Sequence, residues 1–356
     1  MGILTNAFET ERKERKDGAH NRILVVVNAN PASEAMIRML EVYYARDTQD
    51  KYVESHRPHI TIIDTGFPTE SRFQDWRPQG MEYAGNVEGD KSNRRIGLEF
   101  RNGRILKSPA GDDGTMRDVV ANFPADARGE VTSILWSKIV SFHAKRGEYD
   151  VVLYPDTATR IASKVLALTS QGRGFTLPWQ CGTLVKMPSG PSSPFESFLN
   201  LGAYIARPMK DLSDTEIAAY LNITHDRPLT SAQTPADAES DSTAVSIDSL
   251  MVNYISGLET SFPSIVATTG RTADKLDFPT VAEDEPVCLV CSMPKGADNV
   301  KMWLDSITVK EPAAEMENVE GPAVVQGAGL EDVTDSVCYG CYTLFRSSRE
   351  VVRWPL

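Results

Sequence analysis

Four cysteines in this sequence stand in two pairs of equal spacing, Cys288-Leu289-Val290-Cys291 and Cys338-Tyr339-Gly340-Cys341. Two residues between cysteines let one tight turn aim both sulfurs at a single ion, and two such turns supply the four soft ligands of a tetrahedral site. Gly340 eases the second turn. The spacing therefore predicts a metal held by Cys288, Cys291, Cys338 and Cys341, zinc by ligand type. Its role would be structural, because four thiolates leave no open coordination position. The alternative is two unrelated pairs of reduced thiols. The fifth cysteine, Cys181, stands near Trp179 and reads as a small buried residue. His56 and His59 sit beside Pro58 ahead of a strand and read as turn residues rather than ligands.

The junction Asn28-Ala29-Asn30-Pro31-Ala32-Ser33 is the second place where chemistry is expected. In an α/β domain, backbone N–H groups and a helix N-terminus converge on phosphate at such a strand-to-helix turn. A loop that grips phosphate needs glycine for close backbone approach. This one has none, and Pro31 removes a donor. The expectation is an ordinary turn, with ATP binding doubtful and no catalytic residue.

These positions need elements to hold them. Ile23 to Val27 is a β-branched run of the kind buried on both faces of a parallel sheet. A helical pattern follows from Glu34 to Ala45, with Ser33 as the expected N-cap, and a second strand at Ile60-Thr61-Ile62-Ile63 ends at Asp64. Strand, loop, helix and strand make a βαβ opening, so the fold class is α/β. Helix Val131–His143, strand Val151–Tyr154 and helix Ile161–Leu168, closed by Gly172-Arg173-Gly174, repeat that grammar. A strand at Ala203–Ala206 precedes a helix from Thr215 with Asp214 as the expected cap, and two further helical stretches surround Leu250–Leu258 and Ser264–Lys275. The organisation expected is a polar arm over 1–21, an α/β domain over 22–280 and a cysteine module over 281–356. The domain carries an irregular insertion near 70–128, with a hairpin at Asn102-Gly103, and the module carries an acidic linker over 310–332.

With 356 residues and 41% apolar composition, the chain can bury one large core plus a small satellite. The apolar runs fall short of a membrane span, and the charged stretch Glu9–Lys16 is unlike a secretory signal, so a soluble, unexported protein is expected. A net charge of −12 repels nucleic acid overall. Any RNA contact then needs a local basic patch or a partner that supplies the cations.

The strand ILVVV, the loop NANPAS, the segment DTATRIASKVLALTSQGRGFTLPW, the stretch ARPMKD and the paired CLVC and CYGC together resemble the cytoplasmic tRNA 2-thiolation protein 2 family, a degenerate branch of the PP-loop tRNA thiolases. That resemblance implies a PP-loop, adenine nucleotide alpha hydrolase-like parallel sheet with helices on both faces and a zinc-ribbon-like C-terminal module. Active relatives carry Ser-Gly-Gly-x-Asp-Ser in the loop. Asn28, Ala29, Asn30 and Ala32 depart from it, while Pro31 and Ser33 agree with the partner-subunit variant. Family members carry a cysteine-rich segment ahead of the first strand, whereas residues 1–21 hold no cysteine.

The resemblance further implies a cytoplasmic pseudoenzyme that forms a heterodimer with the catalytic thiolation subunit. It would act on tRNA with sulfur from a ubiquitin-like thiocarboxylate carrier, giving 2-thiouridine at the wobble position. In that chemistry ATP makes the uracil carbonyl oxygen a leaving group and sulfur displaces it. Arg160, Lys164, Arg173, Arg207, Lys210 and Arg271 follow strands or lie near helix ends, so they are the expected tRNA phosphate contacts at the carboxyl edge of the sheet. Otherwise they are solvated or paired with the many Asp and Glu residues. Two other readings of the whole stand beside this one: a self-sufficient ATP-dependent tRNA sulfurtransferase, and a zinc-stabilised interaction protein that does not bind RNA.

Overall fold

The computed structural model of the chain describes residues 22–28, 30–46, 59–64, 81–86, 95–101, 104–109, 116–186, 203–224, 246–277, 287–294, 331–349 and 351–355. The arm over 1–21, Ala29, His56 and most of the linker over 310–332 lie outside them. Strand β1 (Arg22–Val27) leads through the loop into α1 (Pro31–Arg46), followed by β2 (His59–Asp64) and β3 (Met81–Asn86). The strands β4 (Arg95–Arg101) and β5 (Arg104–Pro109) precede α2 (Met116–Ala121), α3 (Arg128–Arg146) and β6 (Val151–Leu153). Next come α4 (Ala158–Ser170), α5 (Leu177–Cys181), β7 (Leu184–Lys186), β8 (Tyr204–Ala206), α6 (Asp214–Thr224), α7 (Ile247–Ser261) and α8 (Pro263–Asp274). The C-terminal part adds β9 (Glu331–Asp332), α9 (Tyr339–Arg346) and β10 (Val352–Pro355).

The main sheet has the order β3-β2-β1-β6-β8-β7. All its neighbours run parallel except β7, which closes the edge antiparallel to β8. Side chains alternate between two buried faces, as a parallel sheet covered on both sides requires. Ile23, Val25, Val27, Ile62 and Leu153 pack on α1 and α6 through Ala35, Met36, Ile37, Ile217 and Leu221. Leu24, Val26, Ile63, Val152 and Ile205 face the opposite layer, which includes Val131, Leu135 and Val140 of α3. The chain moves outward from β1 in one direction through β2 and β3, and in the other through β6 and β8. The crevice between β1 and β6 is thus the topological switch point, where α/β domains take ligands.

Two helix caps differ from expectation. Helix α1 starts at Pro31, not Glu34, and its cap is Asn30: Asn30 Oδ1 accepts from the Ser33 amide at 2.7 Å. Proline suits the first helical position because its missing N–H has no intrahelical partner there. At α6 the cap is Ser213 instead of Asp214. Ser213 Oγ accepts from the Glu216 amide at 3.2 Å, and Glu216 Oε2 accepts from the Ser213 amide at 2.8 Å, a reciprocal capping box.

A second, antiparallel sheet has the order β10-β4-β5-β9. The stretch left irregular by the sequence supplies its two central strands, β4 and β5, which pair as a hairpin down to Arg101 opposite Arg104. Both edges come from the C-terminal part, with Val352 opposite Leu98 and Asp332 opposite Leu106. Phe345 stacks edge-on against both Phe123 and Trp354, with ring centroids 5.4 Å apart in each pair. Trp354 is fully buried and donates from Nε1 to the Val290 carbonyl at 3.1 Å. That bond ties the last strand to the turn carrying the first cysteine pair.

Candidate functional site

The two cysteine pairs meet. Residues 287–294 fold into a knuckle in which Val287 bridges Pro294, the Cys288 amide donates to the Met293 carbonyl at 2.8 Å, and Ser292 closes the turn at a left-handed φ of 58°. Cys338 caps α9 and Cys341 lies in its first turn. The four ligating sulfur atoms all lie within 4.8 Å of one another, and each cysteine is buried. Cys291 Sγ is 3.8 Å from Cys338 Sγ. A tetrahedral ion bound at about 2.3 Å to each thiolate sets neighbouring sulfurs about 3.8 Å apart, so the donor set fits a metal by chemistry and size.

The four thiols also act on one another electrostatically. Burial opposes ionisation of Cys288, yet hydrogen bonds from the three other thiols hold its pKa well below the ordinary thiol value. Hydrogen bonding with Cys288 and Cys291 pushes Cys338 well above it, and burial together with the same neighbours does so for Cys341. Four sulfurs this close cannot all be thiolates unless positive charge lies among or beside them.

Two cations do lie beside them. Arg173, 2% exposed, donates from Nη1 to Cys341 Sγ at 3.1 Å and to Cys338 Sγ at 3.8 Å, while its Nε donates to Glu130 Oε1 at 2.7 Å. Buried Lys138 donates to the Leu289 carbonyl at 3.4 Å. Burial pushes its ammonium down to about 8, opposed by Cys288, Cys291 and Cys341. Gly172, at φ +71°, ends α4 and swings Arg173 toward the sulfurs. A groove of about 680 Å³ opens beside this centre, lined in part by Glu130, Gln171, Gly172, Cys338 and Tyr339.

At the switch point the described residues of the loop bond to one another. Ser33 Oγ accepts from the Asn28 amide at 3.0 Å and donates to Asn28 Oδ1 at 2.8 Å. The Asn30 amide donates to the Asn28 carbonyl at 2.7 Å, and Asn30 Oδ1 takes the Ser33 amide. Backbone donors of Asn28, Asn30 and Ser33 that would face an anion are thus satisfied from within. Glu34, fully buried in the first turn, holds its carboxylate against Arg38 at 2.7 Å. A buried carboxylate there adds negative charge where a phosphate would need positive.

The six expected phosphate contacts separate into two groups. Arg173 is taken up by the sulfurs and Glu130. Arg207, 2% exposed, pairs with Asp156 at 3.1 Å, donates to the Gly182 carbonyl at 2.6 Å and lies over the Tyr154 ring. Buried Lys210 pairs with Asp274 and donates to Thr183 Oγ1 at 2.7 Å. These three turn inward because each has a carboxylate to neutralise. Arg160 and Lys164 on α4 are half-buried, and Arg271 on α8 is exposed. Arg160 stands 4.0 Å from Asp214.

Cys181 is fully buried, as expected, and burial raises its thiol pKa. Sequence reasoning missed Lys138 and Glu130. Lys138 carried a signal, since it falls on the buried stripe of α3 with Val131, Ile134, Leu135 and Ser141.

The architecture is an α/β domain with a mostly parallel sheet, joined to a buried four-cysteine site. Residues 246–343 match the family profile of Cytoplasmic tRNA 2-thiolation protein 2. Curated proteins of that name are similar over longer stretches. The one from Pyrenophora tritici-repentis is 36% identical over 178 residues, covering 48% of this chain and 42% of that protein. The one from Phaeosphaeria nodorum is 32% identical, covering 61% and 51%, and that from Schizosaccharomyces pombe is 25% identical, covering 75% and 62%. These matches show the likeness to that family read first from the motifs. The chain spans about half the length of the curated relatives it matches. Among solved structures, the U34-tRNA thiolase NcsA from Methanococcus maripaludis with its [4Fe-4S] cluster aligns at a TM-score of 0.46 and 12% identity, covering 87% of this chain and 90% of that one. Among the described residues, no helix is long and apolar enough to cross a membrane.

Proposed function

We propose that this chain is the non-catalytic subunit of a cytosolic tRNA 2-thiolation complex, pairing with a catalytic thiolation subunit to support 2-thiolation of the wobble uridine. Sulfur arrives from a ubiquitin-like thiocarboxylate carrier, which the catalytic partner serves. The observation that supports the non-catalytic part is the switch-point loop, in which, among the described residues, Asn28, Asn30 and Ser33 satisfy one another instead of offering their amides to a triphosphate. The names of the curated relatives support the pathway and the compartment.

Zinc is the metal of the four-cysteine site in this reading. A single tetrahedral ion matches the compact sulfur cage, whereas a cubane places irons and sulfides between its cysteines and needs a wider one. Its role is to fold the C-terminal part, since four thiolates close the coordination sphere. Arg160, Lys164 and Arg271 remain the candidate tRNA phosphate contacts of this chain, and the acidic balance of −12 leaves most of the phosphate-binding surface to the partner.

The test uses the purified chain, the purified catalytic subunit and the two together. The chain alone should show no saturable ATP binding in equilibrium dialysis and no thiolation of tRNA. It should raise thiolation by the catalytic subunit, and deletion of its gene should remove wobble-uridine sulfur from bulk tRNA. Saturable ATP binding by the chain alone, or unchanged tRNA sulfur after deletion, would overturn the reading.

A further inference from the structure

We infer that Arg173 is a positioning residue of the metal centre: delivered from the α/β domain, it fixes the Cys338 and Cys341 sulfurs by donating to them and makes metal retention depend on how that domain is docked. The inference rests on reading the four cysteines as a metal site.

The geometry is specific. The Arg173 guanidinium reaches two sulfurs of the second pair through Nη1 and is fixed on its other side by Glu130, with which Nη2 also pairs at 2.6 Å. One divalent ion with four thiolates carries a net charge of about −2, which is costly to bury without compensation. Arg173 and Lys138 are the buried cations beside the sulfurs among the described residues, and of the two Arg173 donates to the sulfurs directly. Guanidinium is suited to this because it stays charged when buried and its planar fork can serve sulfur and carboxylate together.

The backbone around it is arranged for that approach. Gly340 lies so close to Arg173 that a Cβ there would be 2.8 Å from Arg173 Cγ, and a Cβ on Gly172 would be 3.0 Å from Tyr339 Cδ1. Gly172-Arg173 and Tyr339-Gly340 therefore interlock, and the arginine enters the centre only while α4 and α9 are held together.

The experiment compares wild type, R173K and R173M in the full chain, with zinc content measured against a graded chelator. Wild type should carry zinc. R173M should lose it at about 10–100-fold lower chelator concentration, the usual effect of removing an outer-shell partner, with R173K between the two. Circular dichroism in excess zinc identifies the variants that fold. A wild type without metal sinks the reading of the cysteines as a metal site. A zinc-loaded wild type whose folded R173M variant holds zinc equally well sinks only the role of Arg173. Should both variants fail to fold, NMR of the wild type decides. The Arg173 guanidinium protons should be resolved, and their shifts should move when cadmium replaces zinc; shifts indifferent to the metal overturn the inference.

Discussion

Gly340 and Arg173 pack against each other with no room for a methyl group: the added carbon would meet Arg173 Cγ at 2.8 Å and the Gln171 carbonyl oxygen at 2.9 Å. Backbone and a buried side chain both resist displacement. G340A should therefore destabilise the chain by about 1–3 kcal/mol, the usual range for overpacking, seen as a lower denaturant midpoint in zinc-saturated buffer. An unchanged midpoint would mean that α9 shifts freely on α4.

Asp156 supports a pH prediction. Burial alone would raise its pKa, but Lys164, Arg207 and Arg160 outweigh burial and hold it below the ordinary carboxylate value. A depressed folded pKa contributes stability that is present above the unfolded value, about 3.9, and is lost as pH falls through the folded value. D156N strips Arg207 of its carboxylate partner and should cost about 3 kcal/mol near pH 7. The gap in urea midpoint between wild type and D156N should be steady at neutral pH and shrink below about pH 4. A gap that widens in acid would contradict the assignment.

The α1 cap is open to a direct measurement. N30A removes the acceptor of the Ser33 amide and should cost about 1 kcal/mol. S33A, by contrast, removes the hydroxyl that bridges the Asn28 amide and side chain while leaving the cap in place. Thermal melts of the two variants and their double mutant should be non-additive, because both lie in one hydrogen-bonded loop.

In the proposed complex, three cations are the candidate tRNA contacts of this chain. Replacing Arg160, Lys164 and Arg271 together with glutamine should weaken tRNA binding by the reconstituted heterodimer and flatten the dependence of affinity on salt, each lost phosphate contact lowering the slope by about one. The replacement spares Arg207 and Lys210, which are themselves buried against Asp156 and Asp274; because Lys164 and Arg160 also act on Asp156, a thermal melt checks that the triple variant is folded. Unchanged affinity and slope would show that the partner alone provides the phosphate surface.

What the sequence made legible follows from where periodic signals were strong. The run from Ile23 to Val27, the repeat along α4 and the cysteine spacing gave strand, helix and four-sulfur cluster, because burial on both sheet faces and convergence on one point each impose a pattern on neighbouring residues. Asn30 was missed as the cap because Pro31 reads as a loop residue until the helix behind it is seen. Strands β4 and β5 place Glu99, Arg101 and Arg104 on one face and even set Lys107 opposite Leu98 on the other, and their short pairing partners lie far off in sequence, so only the Asn-Gly dipeptide between them announced the hairpin. Arg173 illustrates a deeper limit. A charge flanked by glycines looks like a surface residue, and nothing local reveals that two buried sulfurs accept from it. Lys138 is the converse case, legible in retrospect as a cation on an apolar stripe.

The pairing of β4 with β10 has a consequence for biogenesis. The hairpin is synthesised well before Val352–Pro355, the strand that covers its β4 edge. Until that strand is made, Leu98 and its neighbours present unpaired peptide groups to their surroundings. Newly made chains should therefore lean on chaperones, and their yield should fall when Val352–Pro355 is altered.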